Sequence, residues 1–151
     1  MIFKKRNSGI EKIPLERNSS ILFVCYGNVC RSPMAEGMAK QILGDKIRIG
    51  SAGINPVFKG ADPKAVQVVA ELFGTDISTH KTRHFLSAYP EEFDHIIALD
   101  SLVYEFVKKN PKIAKERLVL WDIEDPFSKS LKVYQQTAEK IHKHILEAFI
   151  E

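Results

Sequence analysis

The sequence of 151 residues contains only two cysteines, Cys25 and Cys30, and both lie in one short segment. A secreted domain held together by disulfides needs more cysteines, spread along the chain. The histidines do not lie at metal-ligand spacing from this pair, which argues against a zinc site. We therefore expect a reducing, cytoplasmic setting and no metal.

Long apolar runs and a strong charge imbalance are also missing. No apolar run approaches the ~20 residues that a membrane span requires, and no apolar segment follows the basic residues Lys4, Lys5 and Arg6. We expect neither a membrane span nor a signal peptide. The net charge of +3 comes without a basic stripe interleaved with aromatics, which argues against nucleic acid as a partner.

Strand-like and helix-like segments alternate after residue 19. Residues 1–19 are polar and mixed in charge, and we interpret them as an N-terminal extension before a single domain, residues 20–151. Alternation of this kind predicts a parallel sheet with helices on both faces. The predicted strands cover 21–24, 47–51, 93–99 and 118–120, and the predicted helices cover 33–43, 62–73, 101–110 and the C-terminal region.

The most informative segment is Cys25-Tyr26-Gly27-Asn28-Val29-Cys30-Arg31-Ser32-Pro33, between the first strand and the first helix. Ligands of parallel sheets bind at the carboxyl ends of strands, and a helix N-terminus offers N–H groups to an anion. The planar fork of Arg31 can bind two phosphoryl oxygens. The same cation and the helix N-terminus favour the thiolate form of Cys25. The segment therefore predicts a phosphate site with a sulfur nucleophile.

Other residues of the segment have predicted local roles. Gly27 would let the backbone turn without a Cβ clash, and Asn28 tolerates a left-handed conformation. Ser32 is the predicted N-cap of the first helix, and Gly44 its end. The Ser32 hydroxyl could also reach the sulfur and speed its departure. A cysteine and an arginine at this spacing arise often by chance, but the strand before and the helix after them make the signal specific.

Asp125, in Trp121-Asp122-Ile123-Glu124-Asp125-Pro126-Phe127, is the best candidate for a general acid. It follows the last predicted strand, so its loop can reach the same edge of the sheet as Cys25. Asp122 and Glu124 are the alternatives. An Asp-Pro pair is also a common turn signal.

Together these motifs resemble the low-molecular-weight protein tyrosine phosphatase family over residues 21–150. The resemblance implies a flavodoxin-like three-layer α/β sandwich with a four-stranded parallel sheet. It also implies cofactor-free hydrolysis of phosphorylated proteins through a phosphocysteine, by a monomer or weak homodimer. The similar segments are 24–36 for the active-site loop, 124–126 for the general acid and, between them, 51–53, His80, Arg83 and 99–100.

The resemblance also implies roles for individual residues. Cys25 would be the nucleophile, Arg31 a phosphate ligand, and Asp125 the acid that later activates water. Cys30 would form a reversible disulfide with the nucleophile, although an inert small residue is an equally good interpretation. The loop N–H groups that would bind the phosphoryl group include those of Tyr26, Gly27, Asn28, Val29 and Cys30. The residues that would hold the loop by hydrogen bonds are Asn28, Ser32, Ser51 and His80.

The sequence departs from the family pattern near the substrate. Phe127 and Ser128 stand where many family members have two tyrosines, and Phe127 can still stack on a substrate ring. Family members that act on phosphoarginine also have Asp-Pro-Phe, but with threonine at the position of Val29. We therefore expect a protein tyrosine phosphatase, with a protein arginine phosphatase as the alternative. The predicted pocket walls are Tyr26, Val29, Phe58 and Phe127.

Three other functions are less favoured. Arsenate reductases of this fold share the loop, but they pass a disulfide on to further cysteines, which this chain lacks outside the loop. A phosphocarrier domain must protect its phosphocysteine from water, whereas Arg31 and Asp125 point to hydrolysis. The same residues argue against a regulatory module that binds phosphate without turnover.

Overall fold

A computed structural model describes residues 9–150 and contains one parallel sheet of four strands. The strands are β1 (Ser20–Cys25), β2 (Arg48–Gly53), β3 (His95–Ala98) and β4 (Leu118–Leu120), and their order in the sheet is β2-β1-β3-β4. Strand β1 is buried along its whole length and lies between β2 and β3, so its carboxyl end is central in the sheet. The nucleophile candidate Cys25 is its last residue.

Helices cover both faces of this sheet, as predicted. One face packs on three helices through side chains such as Phe23 and Ile97 of the sheet, and the other packs on one helix through Leu22 and Ile96. Alternate residues of a strand point to opposite faces, which explains this division. The three-layer α/β sandwich is confirmed. The first face holds α1 (Arg31–Leu43), α2 (Pro63–Phe73) and α4 (Leu131–Phe149), and the second holds α3 (Ser101–Lys108).

The beginning of α1 differs from the prediction. The helix begins at Arg31, two residues early, and its N-cap is Cys30, whose side chain makes no capping hydrogen bond. The predicted N-cap role of Ser32 is therefore wrong, because its hydroxyl contacts the loop before the helix instead. Gly44 does end the helix, with a positive φ of 79°.

Two further elements are shorter than predicted. Strand β3 begins at His95, because Pro90–Glu92 forms a 3₁₀ turn. Phe93 lies in the loop between this turn and the strand, and its side chain is buried. Helix α3 ends at Lys108, since Pro111 disfavours a helical conformation at the residue before it. The other 3₁₀ turns, Phe85–Ala88 and Lys115–Arg117, were not predicted.

The described part of the predicted extension packs on the domain. Ile10 and Ile13 belong to the core of the three-helix face, and the N–H of Ile13 donates to the carbonyl of Ala148 at 2.8 Å. Residues 1–8 lie outside the described part of the chain, and the domain boundary at residue 20 stays a prediction. None of the helices within residues 9–150 has the length and apolarity to cross a membrane.

Candidate active site

Cys25 lies at the junction of β1 and the loop, with 2% of its surface exposed. The N–H of Asn28 donates to its Sγ atom at 3.2 Å, and Ser32 Oγ lies 2.9 Å from the same sulfur. Helix α1 begins at Arg31, at the end of the loop, so the helix dipole and the loop N–H groups act on one small region. This arrangement directs N–H donors and the positive end of the helix dipole towards the sulfur and the space beside it.

Asn28 holds the loop in shape. Its backbone is left-handed, with φ of 58°, as the sequence predicted, and its side chain is fully buried. Nδ2 donates to Ser32 Oγ at 2.8 Å and to Ser51 Oγ at 3.0 Å, while Oδ1 accepts from the N–H of Arg83 at 3.0 Å. One amide thus joins the loop, helix α1, strand β2 and the segment after residue 80.

His80 and Glu36 form the next layer of this network. His80 Nε2 lies 2.9 Å from the carbonyl oxygen of Asn28, and Ser51 Oγ donates to Glu36 Oε1 at 2.5 Å. Burial lowers the pKa of His80, and its contacts with Asn28 and Glu36 offset only part of this effect. A neutral imidazole must donate from Nε2 to a carbonyl, so we assign that tautomer. His80 Nδ1, 3.9 Å from Glu36, is then uncharged and forms no ion pair.

Close approach to the loop requires glycine at Gly53. A Cβ atom there would lie 2.8–2.9 Å from backbone atoms of Tyr26, Gly27 and Asn28, which is too close for any side chain. At Gly27, by contrast, a Cβ atom would meet only Val29 Cγ2, at an ordinary 3.5 Å. The clash of a Cβ atom that was expected at Gly27 therefore does not occur there. It would occur at Gly53, in the neighbouring strand.

Arg31 is 1% exposed and held from one side. Its Nη1 donates to Asp100 Oδ2 at 2.7 Å and to the carbonyl of Ile123 at 2.8 Å. Burial by itself lowers the pKa of Arg31, but the negative charges of Cys25, Asp100 and Asp125 outweigh it and raise the pKa. Within residues 9–150, its buried Nε has no hydrogen-bond partner. An anion bound in the loop is the natural partner for this nitrogen.

Asp100 positions this arginine, a role that the sequence analysis did not assign. It is the N-cap of α3, where Oδ1 accepts from the N–H of Val103 at 2.9 Å and Oδ2 remains for Arg31. The available signal was its place directly after a predicted strand and before a predicted helix. Glu36 bonds to Ser51 and Arg83 bonds to Asn28; both lie in segments that resemble the family, but neither had a predicted role.

Among the candidate acids, Asp125 is the one that contacts Arg31. Its Oδ2 lies 3.5 Å from Arg31 Nη2, and its Oδ1 accepts from the N–H of Phe127 at 3.1 Å. Its side chain is 46% exposed. Glu124 instead pairs with Lys129 at 3.0 Å, and Asp122 lines a different hollow, beside β4 and α4. The structure thus brings Asp125, and neither alternative, to the loop.

Cys30 has surroundings different from those of Cys25. Its Sγ lies 3.6 Å from the Tyr134 hydroxyl, in the core between α1 and α4. Burial raises the pKa of Cys30 to about 12, and the hydrogen bond with Tyr134 opposes this only in part. Cys30 therefore stays a neutral thiol at neutral pH. Both cysteines are free.

A cavity of about 180 Å³ opens over the loop. The rings of Phe58 and Phe127 lie 5.8 Å apart at its side, and the Tyr26 hydroxyl accepts from Asn55 Nδ2 at 2.9 Å. All four predicted walls contribute to it. The lining residues are Tyr26, Gly27, Val29, Cys30, Asn55, Val57, Phe58, Asp125 and Phe127. No group of three or more His, Cys, Asp or Glu side chains in the described chain could hold a metal ion.

The fold and the site together describe an α/β protein with a cysteine and a buried arginine on one loop, at the carboxyl edge of a parallel sheet. The family model described as low molecular weight phosphotyrosine protein phosphatase matches residues 20–150. The chain therefore belongs to this family, and membership supports a cysteine-based phosphatase. The resemblance noted from the motifs is confirmed.

The relatives of this chain are named for different activities. Arsenate reductase 1 of Staphylococcus haemolyticus is 36% identical over 129 residues, which cover 85% of this chain and 92% of that protein. A low molecular weight protein tyrosine phosphatase from T. tengcongensis has a TM-score of 0.76 at 31% identity, covering 85% of this chain and 95% of that one. The YwlE arginine phosphatase from Geobacillus stearothermophilus has a TM-score of 0.77 at 25% identity, and the match covers 84% of this chain and 88% of that one.

Proposed function

We propose that this protein is a cysteine-dependent phosphomonoester hydrolase that dephosphorylates tyrosine in proteins through a phosphocysteine intermediate. The observation that carries the proposal is the orientation of Arg31. Asp100 and the carbonyl of Ile123 hold Nη1, while the buried Nε has no partner within residues 9–150. A guanidinium fixed in this way presents its remaining N–H groups to a phosphoryl group beside Cys25.

In the first step, the Cys25 thiolate attacks phosphorus and the bond from phosphorus to the ester oxygen breaks. The loop N–H groups and Arg31 bind the three equatorial oxygens as their charge develops. Asp125 gives its proton to the leaving oxygen. Its position 3.5 Å from Arg31 and on the wall of the cavity supports this role.

In the second step, water replaces the sulfur on phosphorus. The Asp125 carboxylate takes a proton from the attacking water, the bond from phosphorus to sulfur breaks, and Cys25 leaves as a thiolate. The Ser32 hydroxyl, 2.9 Å from the sulfur, stabilises that thiolate by a hydrogen bond. The products of the two steps are the dephosphorylated side chain, inorganic phosphate and the free enzyme. Asp125 handles both proton transfers, so the proposed mechanism uses no cofactor.

The cavity walls support phosphotyrosine as the substrate. Phe58, Phe127 and Val29 form apolar surfaces over the loop, and an aromatic leaving group can stack on such rings. Val29 has no hydroxyl with which to orient a guanidinium. Phosphoarginine is the second candidate, because Asp-Pro-Phe is present and a structural neighbour is an arginine phosphatase.

Arsenate reduction is less favoured, although a relative at 36% identity has that name. Cys25 and Cys30 are the only cysteines of the chain. Reduction of arsenate would therefore need an external thiol to resolve the intermediate. The two free thiols suit the reducing, cytoplasmic setting that we propose.

The decisive experiment is to trap the intermediate. In Asp125→Ala, mass spectrometry of an acid-quenched reaction with p-nitrophenyl phosphate should find one phosphate on Cys25, and Cys25→Ala, which has no nucleophilic atom at this position, should show none. Hydrolysis should persist in EDTA. Absence of the adduct in Asp125→Ala would refute the mechanism.

The substrate is tested separately. We expect kcat/KM to be higher for phosphotyrosine than for phosphoarginine peptides, and Val29→Thr to narrow the difference. The reverse order in the wild type would assign the protein to the arginine phosphatases. Arsenate reductase activity is tested by measuring whether arsenate causes the oxidation of an added thiol.

A further inference from the structure

A second hollow lies beside the cavity over the loop. Its volume is about 370 Å³, and it shares Val29, Phe58 and Phe127 with the first cavity. The two aromatic rings thus face both spaces and remain half exposed, at 55% for Phe58 and 42% for Phe127. A peptide whose phosphorylated side chain enters the first cavity can therefore extend across this shared wall.

The second hollow is apolar except at one position. Beyond the shared wall it is lined by Gly60, Ala61, Asp62 and Pro63. Asp62 is the N-cap of α2, and its Oδ1 accepts from the N–H of Lys64 at 2.8 Å. Apolar walls favour an apolar side chain, whereas the Asp62 carboxylate disfavours an acidic one.

The second hollow is also fixed relative to the catalytic loop. The N–H of Asp62 donates to the carbonyl of Val29 at 2.9 Å, which joins the start of α2 directly to the loop that holds Cys25. Side chains two residues apart in an extended peptide point the same way and lie roughly 7 Å apart. A residue near the phosphorylated one is therefore within reach of this hollow.

We propose that this hollow is a subsite for a large apolar side chain within two residues of the phosphorylated tyrosine in a peptide substrate. The proposal rests on the proposed function, since it assumes that a phosphopeptide enters the first cavity. Ala61 and Asp62 are then specificity-determining residues. They select the sequence around the phosphotyrosine and take no part in the chemistry.

The test compares kcat/KM for phosphotyrosine peptides with Leu, Ser or Glu placed in turn at the two positions on each side. At one position we expect Leu to exceed Ser by about five- to twentyfold, as partial burial of a leucine side chain implies. Glu should fall below Ser at the same position. Ratios within one enzyme cancel any general change in activity. Equal values for all three residues at every position would overturn the subsite.

Two variants sharpen the result. Ala61→Phe fills the hollow and should bring the Leu-to-Ser ratio to about one, and a ratio that persists overturns the proposal. Asp62→Asn keeps the helix cap, and should abolish the penalty on Glu while the preference for Leu remains. If Ala61→Phe does not fold, an unchanged Glu-to-Ser ratio in Asp62→Asn overturns the proposal. Failure to hydrolyse any phosphotyrosine peptide overturns the proposed function as well, whereas hydrolysis without a preference overturns the subsite alone.

Discussion

The floor and the rim of the site are built in opposite ways. On the floor, Asn28, Arg31 and Ser32 are buried, and their polar groups bond to fixed partners on several elements. On the rim, Phe58 and Phe127 are half exposed, and their rings lie 5.8 Å apart. Removing the partner of a buried polar group costs much free energy, whereas removing the neighbour of an exposed ring costs little. We therefore place the proposed chemistry on the floor and the proposed substrate selectivity on the rim.

The floor should be most sensitive at Arg31. Arg31→Lys keeps the positive charge but loses the fork that contacts Asp100, Ile123 and the substrate together. We expect kcat/KM for p-nitrophenyl phosphate to fall by about a thousandfold, as for loss of a preorganised donor. Steady-state kinetics measures this. Arg117→Lys, which changes an arginine bonded to backbone carbonyls elsewhere, is the control and should be nearly neutral.

Asn28 should show the next largest effect. Asn28→Ala removes three side-chain hydrogen bonds and places alanine at a positive φ, so we expect about 2–3 kcal/mol less unfolding free energy. We also expect roughly a hundredfold lower kcat. Urea unfolding and kinetics measure the two effects. Asn28→Gly tolerates the backbone conformation. If it restored full activity, the side-chain hydrogen bonds would be unimportant.

The rim should respond more weakly. Phe127→Ala removes the ring that faces both hollows, and we expect kcat/KM for a phosphotyrosine peptide to fall about tenfold, mostly through KM. Phe106→Ala is the matched control, because Phe106 is 41% exposed but lies on α3, on the other face of the sheet. An equal loss in both variants would mean that Phe127 acts through stability.

A smaller effect concerns the pH dependence of stability. The pKa of His80 is lowered in the folded protein, so below the ordinary histidine pKa of ~6.5 the unfolded chain binds a proton more readily than the folded one. His80 therefore makes stability fall as pH drops through this range. His80→Gln, which keeps a donor for the Asn28 carbonyl, should give a shallower fall in unfolding free energy. Urea unfolding between pH 7.5 and 5 measures the difference in slope, and an identical slope would contradict the assignment.

The reactivity of the Cys30 thiol distinguishes the two interpretations of this residue that the sequence left open. Its contact with Tyr134 and its raised pKa make it a poor nucleophile, so iodoacetamide at pH 8 should leave it unmodified in Cys25→Ser. The protective disulfide stays a prediction. It requires that wild-type enzyme recover with dithiothreitol after peroxide and that Cys30→Ser does not.

The sequence was most informative where chemistry and local structure depend on neighbouring residues. The strands, the four main helices and the left-handed residue Asn28 were predictable because apolar periodicity and short-range sterics act over a few positions. Asp100 and Glu36 were not assigned, because their partners lie 69 and 15 residues away. The N-cap was misplaced because the Ser32 hydroxyl contacts sulfur and amide groups of the folded loop.

The parallel α/β architecture and the cysteine-containing segment after the first strand could be read from the sequence, since alternating apolar patterns and one short motif specify both. The packing of the folded chain, in contrast, fixes which acid contacts Arg31, which cysteine is buried against Tyr134, and which glycine lies against the loop. Each of these outcomes depends on distances between segments far apart in the chain. Such distances are set when the helices and strands pack, so no local pattern contains them.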